Sequence, residues 1–583
     1  MRLSLTLAAL AVSATAFSAQ ARDTLIHGGP IYVEADKPPV AALVIRDGKV
    51  GFVGGLSKAK AFARNPANID LKGAAAYPGL VDAHAHLMGI GFRELTLNLE
   101  GSVSIVELQS RLKAWNLAHP GADPLSGRGW IETHWPEHRF PSRQDLDAVV
   151  SDRPVVLTRS DGHALVANSA MLKLAGVTRD TVAPAGGQIL KDADGEPTGM
   201  LIDNAKALVT GKIAKPSVTQ QREAAKLATA LYASRGWTGM HSVSVAAQDV
   251  SILREMAKAG TLPIRVDNFM DLDAAGEVLT KGPSREGLLR VDGIKLYMDG
   301  ALGSRGAALL APYNDAPGDG LVLTPPDVIA AALERAKKSH AQVAIHAIGD
   351  RGNRMVLDAY EKAFAGDPAG LAASRWRIEH AQIISPPDLP RFAKLGVIAS
   401  MQPSHAIGDL FFAPSRLGPD RIKEGYAWRD LWTSGAHMAA GTDAPVEKGD
   451  PLIEFYAATY RHDLKGFAGP DWGLDETLTR PQALAMLTKG SAYAAFHEDE
   501  LGDLKVGKAA DISVFSVDLM TAPFADIPKA HAVMTIVAGK VVYKAKIGVT
   551  SQDDRPLPCG PSADQGSSRP PAGRPGCSAQ PGR

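Results

Sequence analysis

Six side chains that can bind a metal ion or move a proton stand in short apolar runs of this chain. They are His84 and His86 in DAHAH, Lys295 in GIKLYMDGALGSRG, His346 in VAIHAIGD, His380 in RIEHAQ and Asp443 in AAGTDAP. Histidines two apart on a strand point to the same side, so His84 and His86 can share one ion. With the other two imidazoles and the carboxylate they form a donor set suited to Zn2+ or a similar borderline divalent cation. Such an ion polarises a carbonyl and makes water a nucleophile near neutral pH, so the chemistry on offer is hydrolysis. Each residue alone has a plainer role. A strand histidine can be a satisfied core residue, and Asp443 can form a turn or cap a helix. Lys295 can snorkel or pair with a buried acid such as Asp299. The lysine is the awkward member, because Ile294, Leu296 and Met298 surround it and burial disfavours its charge.

The elements around these residues explain how they could meet. Apolar runs alternate with helical patterns such as 326–340 and 352–365, which argues for a parallel sheet covered on both faces. The strand candidates are GLVDAHAHL, VVLTRSD, TGMHSVS, IRVDNFM, GIKLYMD, VAIHAIGD, RIEHAQ, VIASMQP and HMAAGTDAP, nine in all. A (β/α)8 TIM-like barrel needs eight, so VVLTRSD or IRVDNFM is expected outside it. Every polar residue named above falls near a strand's C-terminal end, the face on which such barrels build active sites. His346 and His380 are 34 residues apart, His380 and Asp443 63, and Lys295 and His346 51. Taken as one, two and one β/α units, these spacings put the lysine on strand four, the histidines on five and six and the aspartate on eight. The barrel is expected over 79–497, with an inserted lobe at about 88–235. Short turn-broken strands at both ends, 22–78 and 498–548, are expected to form one small β-sandwich domain.

Charge narrows the partners. Lys plus Arg and Asp plus Glu both number 63, which removes the electrostatic case for nucleic acid or an anionic membrane and leaves a small molecule. MRLSLTLAALAVSATAFSAQA has an early Arg, a short apolar stretch and Ala19-Gln20-Ala21, the pattern of a signal peptide over 1–21. Export to a bacterial periplasm or secretion follows. No Cys stands at the cleavage point, so a lipid anchor is not expected, and no later segment is apolar for long enough to span a bilayer. Cys559 and Cys577 lie in a Pro/Gly-rich tail, 549–583, expected to be disordered, where they could pair in an oxidising compartment.

PGLVDAHAHL, GIKLYMDGALGSRGA, VAIHAIGD, RIEHAQ and AAGTDAP together resemble the amidohydrolase superfamily. GRGWIETHWPE, SDGHALVANSAML and MQPSHAIGD narrow the resemblance to its amidohydrolase 3 branch, which includes N-substituted formamide deformylase-like enzymes. ALAMLTKGSAYAAFHEDELGDLKVGKAADISVF is similar to the superfamily's C-terminal signature, and the likeness runs over about 23–548. The resemblance implies two divalent ions, Zn2+ first among candidates, and a CO2-derived carbamate on Lys295 that bridges them. His84, His86, Lys295 and Asp443 would hold the more buried ion, and Lys295, His346 and His380 the more exposed one. Asp443 would also take the proton of the attacking water and pass it to the leaving nitrogen. The implied substrate is a small amide, formamide or cyclic amide cleaved at a C–N bond other than a peptide bond, and a homodimer is a family expectation.

His163 in SDGHALVANS is a candidate contact for the substrate carbonyl, with a core histidine as the alternative. Gln402, His405 and Asp409 follow strand seven and could line the same mouth. Trp130 and Trp135 could wall it, although such aromatics are more often packing. Two other readings stay open. One is an acyl-amino acid or dipeptide hydrolase, for which Arg305 and Arg351 are available to meet a substrate carboxylate. The other is a catalytically inactive exported metal- or ligand-binding protein.

Overall fold

Eight buried parallel strands close around one axis. They are β1 (Leu80–Ala85), β2 (Trp237–Val245), β3 (Arg265–Asp271), β4 (Leu289–Tyr297), β5 (Gln342–Ala347), β6 (Arg377–His380), β7 (Ile398–Met401) and β8 (Met438–Ala440). The structure, a computed structural model, describes residues 22–546 apart from Asp471. The signal peptide expected over 1–21 and the tail cysteines lie outside the described residues. Neighbouring strands pair in parallel from β1 through β8, and helices such as Pro326–Ser339 and Asp350–Ala363 cover the outside. Near-continuous apolar strands suit this position, because both faces are covered. IRVDNFM is β3, and VVLTRSD is the strand that falls outside the barrel.

β8 and β1 meet without a strand ladder, and a side chain makes the seam. The buried Asp82 carboxylate accepts from Thr442 N (2.9 Å) and Oγ1 (2.6 Å), from the Tyr232 hydroxyl (3.0 Å) and from His84 N (3.1 Å). Two main-chain bonds complete it, Asp443 N to His84 O at 2.7 Å and His86 N to Ala444 O at 2.8 Å. Gly441 makes the approach possible, since a Cβ there would lie 2.3 Å from His84 N and 2.8 Å from Asp82 Oδ1.

VVLTRSD belongs to a six-stranded sheet in the connection between β1 and β2. Its strands are Leu97–Asn98, Leu125–Trp130, Val155–Arg159, Ala164–Ala167, Gly187–Lys191 and Pro197–Asp203. The lobe is shorter than the expected 88–235, because helices Leu87–Leu95 and Val218–Ser234 pack together beside the barrel. Gly91 permits that contact, as a Cβ there would sit 2.0 Å from Ala224 O. Trp130 and Trp135 fill the lobe's own core with their indole N–H groups bonded to Leu157 O and Ser102 O, so they wall no cavity.

Both chain ends share a third sheet of eight strands, in which Ala75–Pro78 pairs with Ile512–Phe515. Ile26, Leu43 and Ile45 from one arm and Ile512, Val514, Met534 and Ile536 from the other meet in one buried cluster. The sandwich is therefore a single sheet folded over its own core. Among the described residues no helix is long and apolar enough to cross a membrane.

The seam makes a direct prediction. Gly441→Ala is expected to cost about 3 kcal/mol by urea denaturation, the upper end for overpacking. Gly276→Ala, whose added Cβ would meet nothing within 4 Å, is expected to stay within about 0.5 kcal/mol of the parent.

Candidate metal centre

The six chemistry-bearing residues converge at the C-terminal mouth of the barrel, with Asp443 at the middle. His86 Nε2 stands 2.9 Å from Asp443 Oδ1 and His84 Nε2 3.4 Å from the same oxygen. His405 Nε2 lies 3.7 Å from Asp443 Oδ2. The His380 ring is 4.9 Å from that of His84, 4.5 Å from His346 and 5.7 Å from His405, centre to centre. Lys295, on β4, brings Nζ to 3.4 Å from His84 Nε2. Two trios hold donor atoms mutually within 4.8 Å, His84–His86–Asp443 and His380–His405–Asp443, so one carboxylate serves both.

Backbone geometry aims two of these side chains. His380 has φ 73° and Asp443 φ 55°, left-handed values that cost a non-glycine residue about 1–3 kcal/mol. Simple alternation along β6 would send Glu379 and His380 to opposite faces. The left-handed turn at His380 brings both inward, with Glu379 on His84 Nδ1 and His380 among the other rings.

Burial sets the protonation states. It pushes His346 and His380 well below the usual imidazole range and lowers His86, so all three favour the neutral form that carries a free lone pair. Burial also brings Lys295 down to about 8. Asp443 is pulled up by burial, yet the hydrogen bonds and charges of His84 and His86 hold it well below the usual carboxylate range. Among the described residues no carboxylate lies within salt-bridge distance of Lys295. Asp299, the partner considered for it, instead accepts from the N–H groups of Ala308 (2.8 Å), Ile348 (3.0 Å) and Gly349 (2.8 Å). His380 Nδ1 and His405 Nε2 are buried without a hydrogen-bond partner. Unpartnered imidazole nitrogens, a shared carboxylate and a lysine without a counter-ion fit a divalent metal centre.

The remaining candidates divide. His163 binds Asp203 Oδ1 through Nδ1 at 2.6 Å, and its ring centre is 5.0 Å from that of His346. His405 stands closer to the centre than a substrate contact needs to, within reach of His380 and Asp443. His346 turns toward Gly300 O (3.4 Å) and Asp299 Oδ1 (3.5 Å) and joins neither trio. Asp409 lines an apolar annex of about 70 Å3 with Ile131, Leu302, Ile348 and Phe412, and accepts from Gln382 Nε2 at 2.7 Å. Gln402 lines neither the annex nor the main cavity at the mouth; its Nε2 donates to Ser400 O at 3.1 Å. The main cavity, about 490 Å3, opens on His84, His86, Lys295, His163, His346, His380 and Asp443. A larger one of about 700 Å3, beside His437 and Tyr493, holds none of them.

Glu379 and Arg377 escaped the reading of the sequence. Arg377 grips Glu379 through Nε–Oε1 at 2.6 Å and Nη2–Oε2 at 3.0 Å, and it also reaches His241 Nδ1 at 2.9 Å. Burial would raise Glu379, but Arg377 and His84 hold it far below its usual range. The available signal was an Arg and a Glu two apart on a buried strand, a pairing that burial demands.

Residues 67–543 match the amidohydrolase family, as the motifs suggested, and the chain belongs to it. The protein YtcJ of Bacillus subtilis (strain 168) is 33% identical over 533 residues, 89% of this chain and 99% of that protein. N-substituted formamide deformylase of Arthrobacter pascens is 26% identical over 559 residues, covering 90% of this chain and 99% of the enzyme. An uncharacterized metal-dependent hydrolase of Pyrococcus horikoshii OT3 has a similar solved structure. The TM-score is 0.71 at 28% identity, over 86% of this chain and 99% of that one.

Arg377→Met is expected to destabilise the fold by about 3–5 kcal/mol in a denaturant titration, because it strands the buried Glu379 charge. Arg377→Met with Glu379→Leu is expected to recover part of the loss.

Proposed function

We propose that this chain is a metal-dependent hydrolase that cleaves the C–N bond of an amide, formamide or cyclic amide. The carrying observation is the convergence of buried neutral imidazoles, one shared carboxylate and an uncompensated lysine at the barrel mouth. His84, His86, Lys295 and Asp443 would hold one ion, and Lys295, His346 and His380 a second, with His405 within reach of Asp443. When bound, the ions supply a Lewis acid for the carbonyl oxygen and lower the pKa of water. Export rests on residues 1–21 alone.

The chain's own groups complete the reaction. Asp443, kept ionised by its histidines, accepts a proton from the attacking water as the water oxygen bonds to the carbonyl carbon. It then delivers that proton to the leaving nitrogen as the C–N bond breaks. His163 is fixed through Nδ1 by Asp203, which leaves Nε2 to meet the carbonyl oxygen from the cavity side. Lys295 answers its own buried charge by adding CO2. The neutral amine forms an N–C bond, a proton leaves to water, and an anion replaces the cation. The likeness to N-substituted formamide deformylase and to a metal-dependent hydrolase supports this reading.

Purified protein is expected to contain about two metal equivalents by mass spectrometric metal analysis. With 13C-labelled bicarbonate it is expected to show a carbamate carbon signal that Lys295→Ala loses, with partial rescue of activity by formate or acetate. Asp443→Asn is expected to lower kcat by about 10²–10⁴-fold. A panel of formamides, acyl amides, cyclic amides and esters tests the reaction class. Fully metal-loaded protein without turnover across that panel would instead fit an inactive metal-binding protein.

A further inference from the structure

Two cations in the main cavity have no acid of their own. Arg128, on the lobe strand Leu125–Trp130, and Lys206, in the 3-10 turn Asn204–Lys206, both line the space that holds His84, Lys295 and Asp443. Among the described residues neither forms a salt bridge with a carboxylate. Their hydrogen bonds go to main-chain oxygens of one short loop. Arg128 Nη2 donates to Ser160 O at 2.9 Å, and Lys206 Nζ donates to Gly162 O. Arg128 Nε is buried with no partner at all. A Cβ on Gly162 would lie 3.3 Å from Arg128 Nη2, so the two cations flank the same peptide.

The nearby acids bond elsewhere, although Asp203 keeps its Oδ2 without a hydrogen-bond partner. Asp161 is paired with Arg159 at 2.5 Å and accepts from His163 N at 3.0 Å, while Asp203 is held by His163. The arginines available for substrate recognition on sequence grounds are also taken, Arg305 by Asp315 at 3.0 Å and Arg351 by Asp319 at 3.4 Å. We infer that the substrate carries a carboxylate beside its scissile amide, and that Arg128 and Lys206 bind it. This rests on the hydrolase reading and selects N-acyl-amino acids or closely related acids within it. The guanidinium fork matches a carboxylate in geometry and charge. Burial lowers both cations, and an arriving anion would restore what burial removes. Arg128 and Lys206 line the same cavity of about 490 Å3 as Asp443, so one small substrate can meet the cradle and the reacting centre together.

The test uses matched pairs that differ only in the carboxylate. N-formyl- and N-acetyl-amino acids with small, aliphatic and aromatic side chains are assayed beside their carboxamides, following release of the free amine. The metal-loaded full chain is expected to favour the acids in kcat/KM by about 10- to 100-fold. Lys206→Met and Arg128→Leu are each expected to cut that ratio about tenfold, chiefly through KM for the acid. Equal turnover of acid and carboxamide, or variants that leave the ratio unmoved, would overturn the inference while leaving the hydrolase reading intact. Should Arg128→Leu fail to fold, Lys206→Met decides. Where neither partner turns over, the wider panel of cyclic amides and esters judges the hydrolase reading, and calorimetry with the N-acetyl-amino acids judges the cradle. Binding that weakens in Lys206→Met upholds it, and absent or unchanged binding overturns it.

Discussion

A guanidinium sealed inside the barrel governs much of what surrounds it. Arg377 stands on β6, yet it bonds Ala83 O on β1 at 2.5 Å, His241 on β2 and Ser400 Oγ on β7 at 2.8 Å, besides its own Glu379. A charge so deeply buried is tolerated only when its donors are met, and here four strands meet them. The positions of those strands are thus tied to one planar fork. Glu379, fixed by that fork, holds His84 by Nδ1 and leaves Nε2 facing Asp443 and Lys295. The reactive mouth inherits its order from an ion pair that reaches it through His84.

At the mouth itself, order is obtained at the expense of backbone comfort. His380 and Asp443 both adopt left-handed conformations at strand ends, where the next peptide is released from the sheet. Asp443 is held by the seam through its N–H on His84 O, and the seam in turn needs Asp82 and the bare Cα of Gly441. Barrel closure and the placement of the candidate metal ligands therefore use the same few atoms. This is why a methyl group at Gly441 would disturb both.

Much of this was legible in the sequence. Eight apolar strands with polar residues at one end announce the barrel, and the intervals between Lys295, His346, His380 and Asp443 match the strands that carry them. What stayed hidden depends on direction after a strand ends. The role of His405 turns on a helix, Pro403–Asp409, that doubles back over the mouth, and Glu379 on a reversal at His380 that alternation does not foresee. Arg128 and Lys206 were invisible for another reason. Nothing local distinguishes an unpaired cation from the paired Arg305 or Arg351, because pairing is a property of folded neighbours.

The lobe inserted between β1 and β2 has a consequence for how such an enzyme could change. Every candidate metal-binding side chain comes from the barrel, while His163, Asp203, Arg128 and Lys206 all come from one uninterrupted stretch of chain between two barrel strands. On the proposed roles, reactivity and recognition would be written in separate passages of the gene. A single recombination event spanning that stretch could retarget the enzyme while leaving the bond-breaking apparatus unaltered.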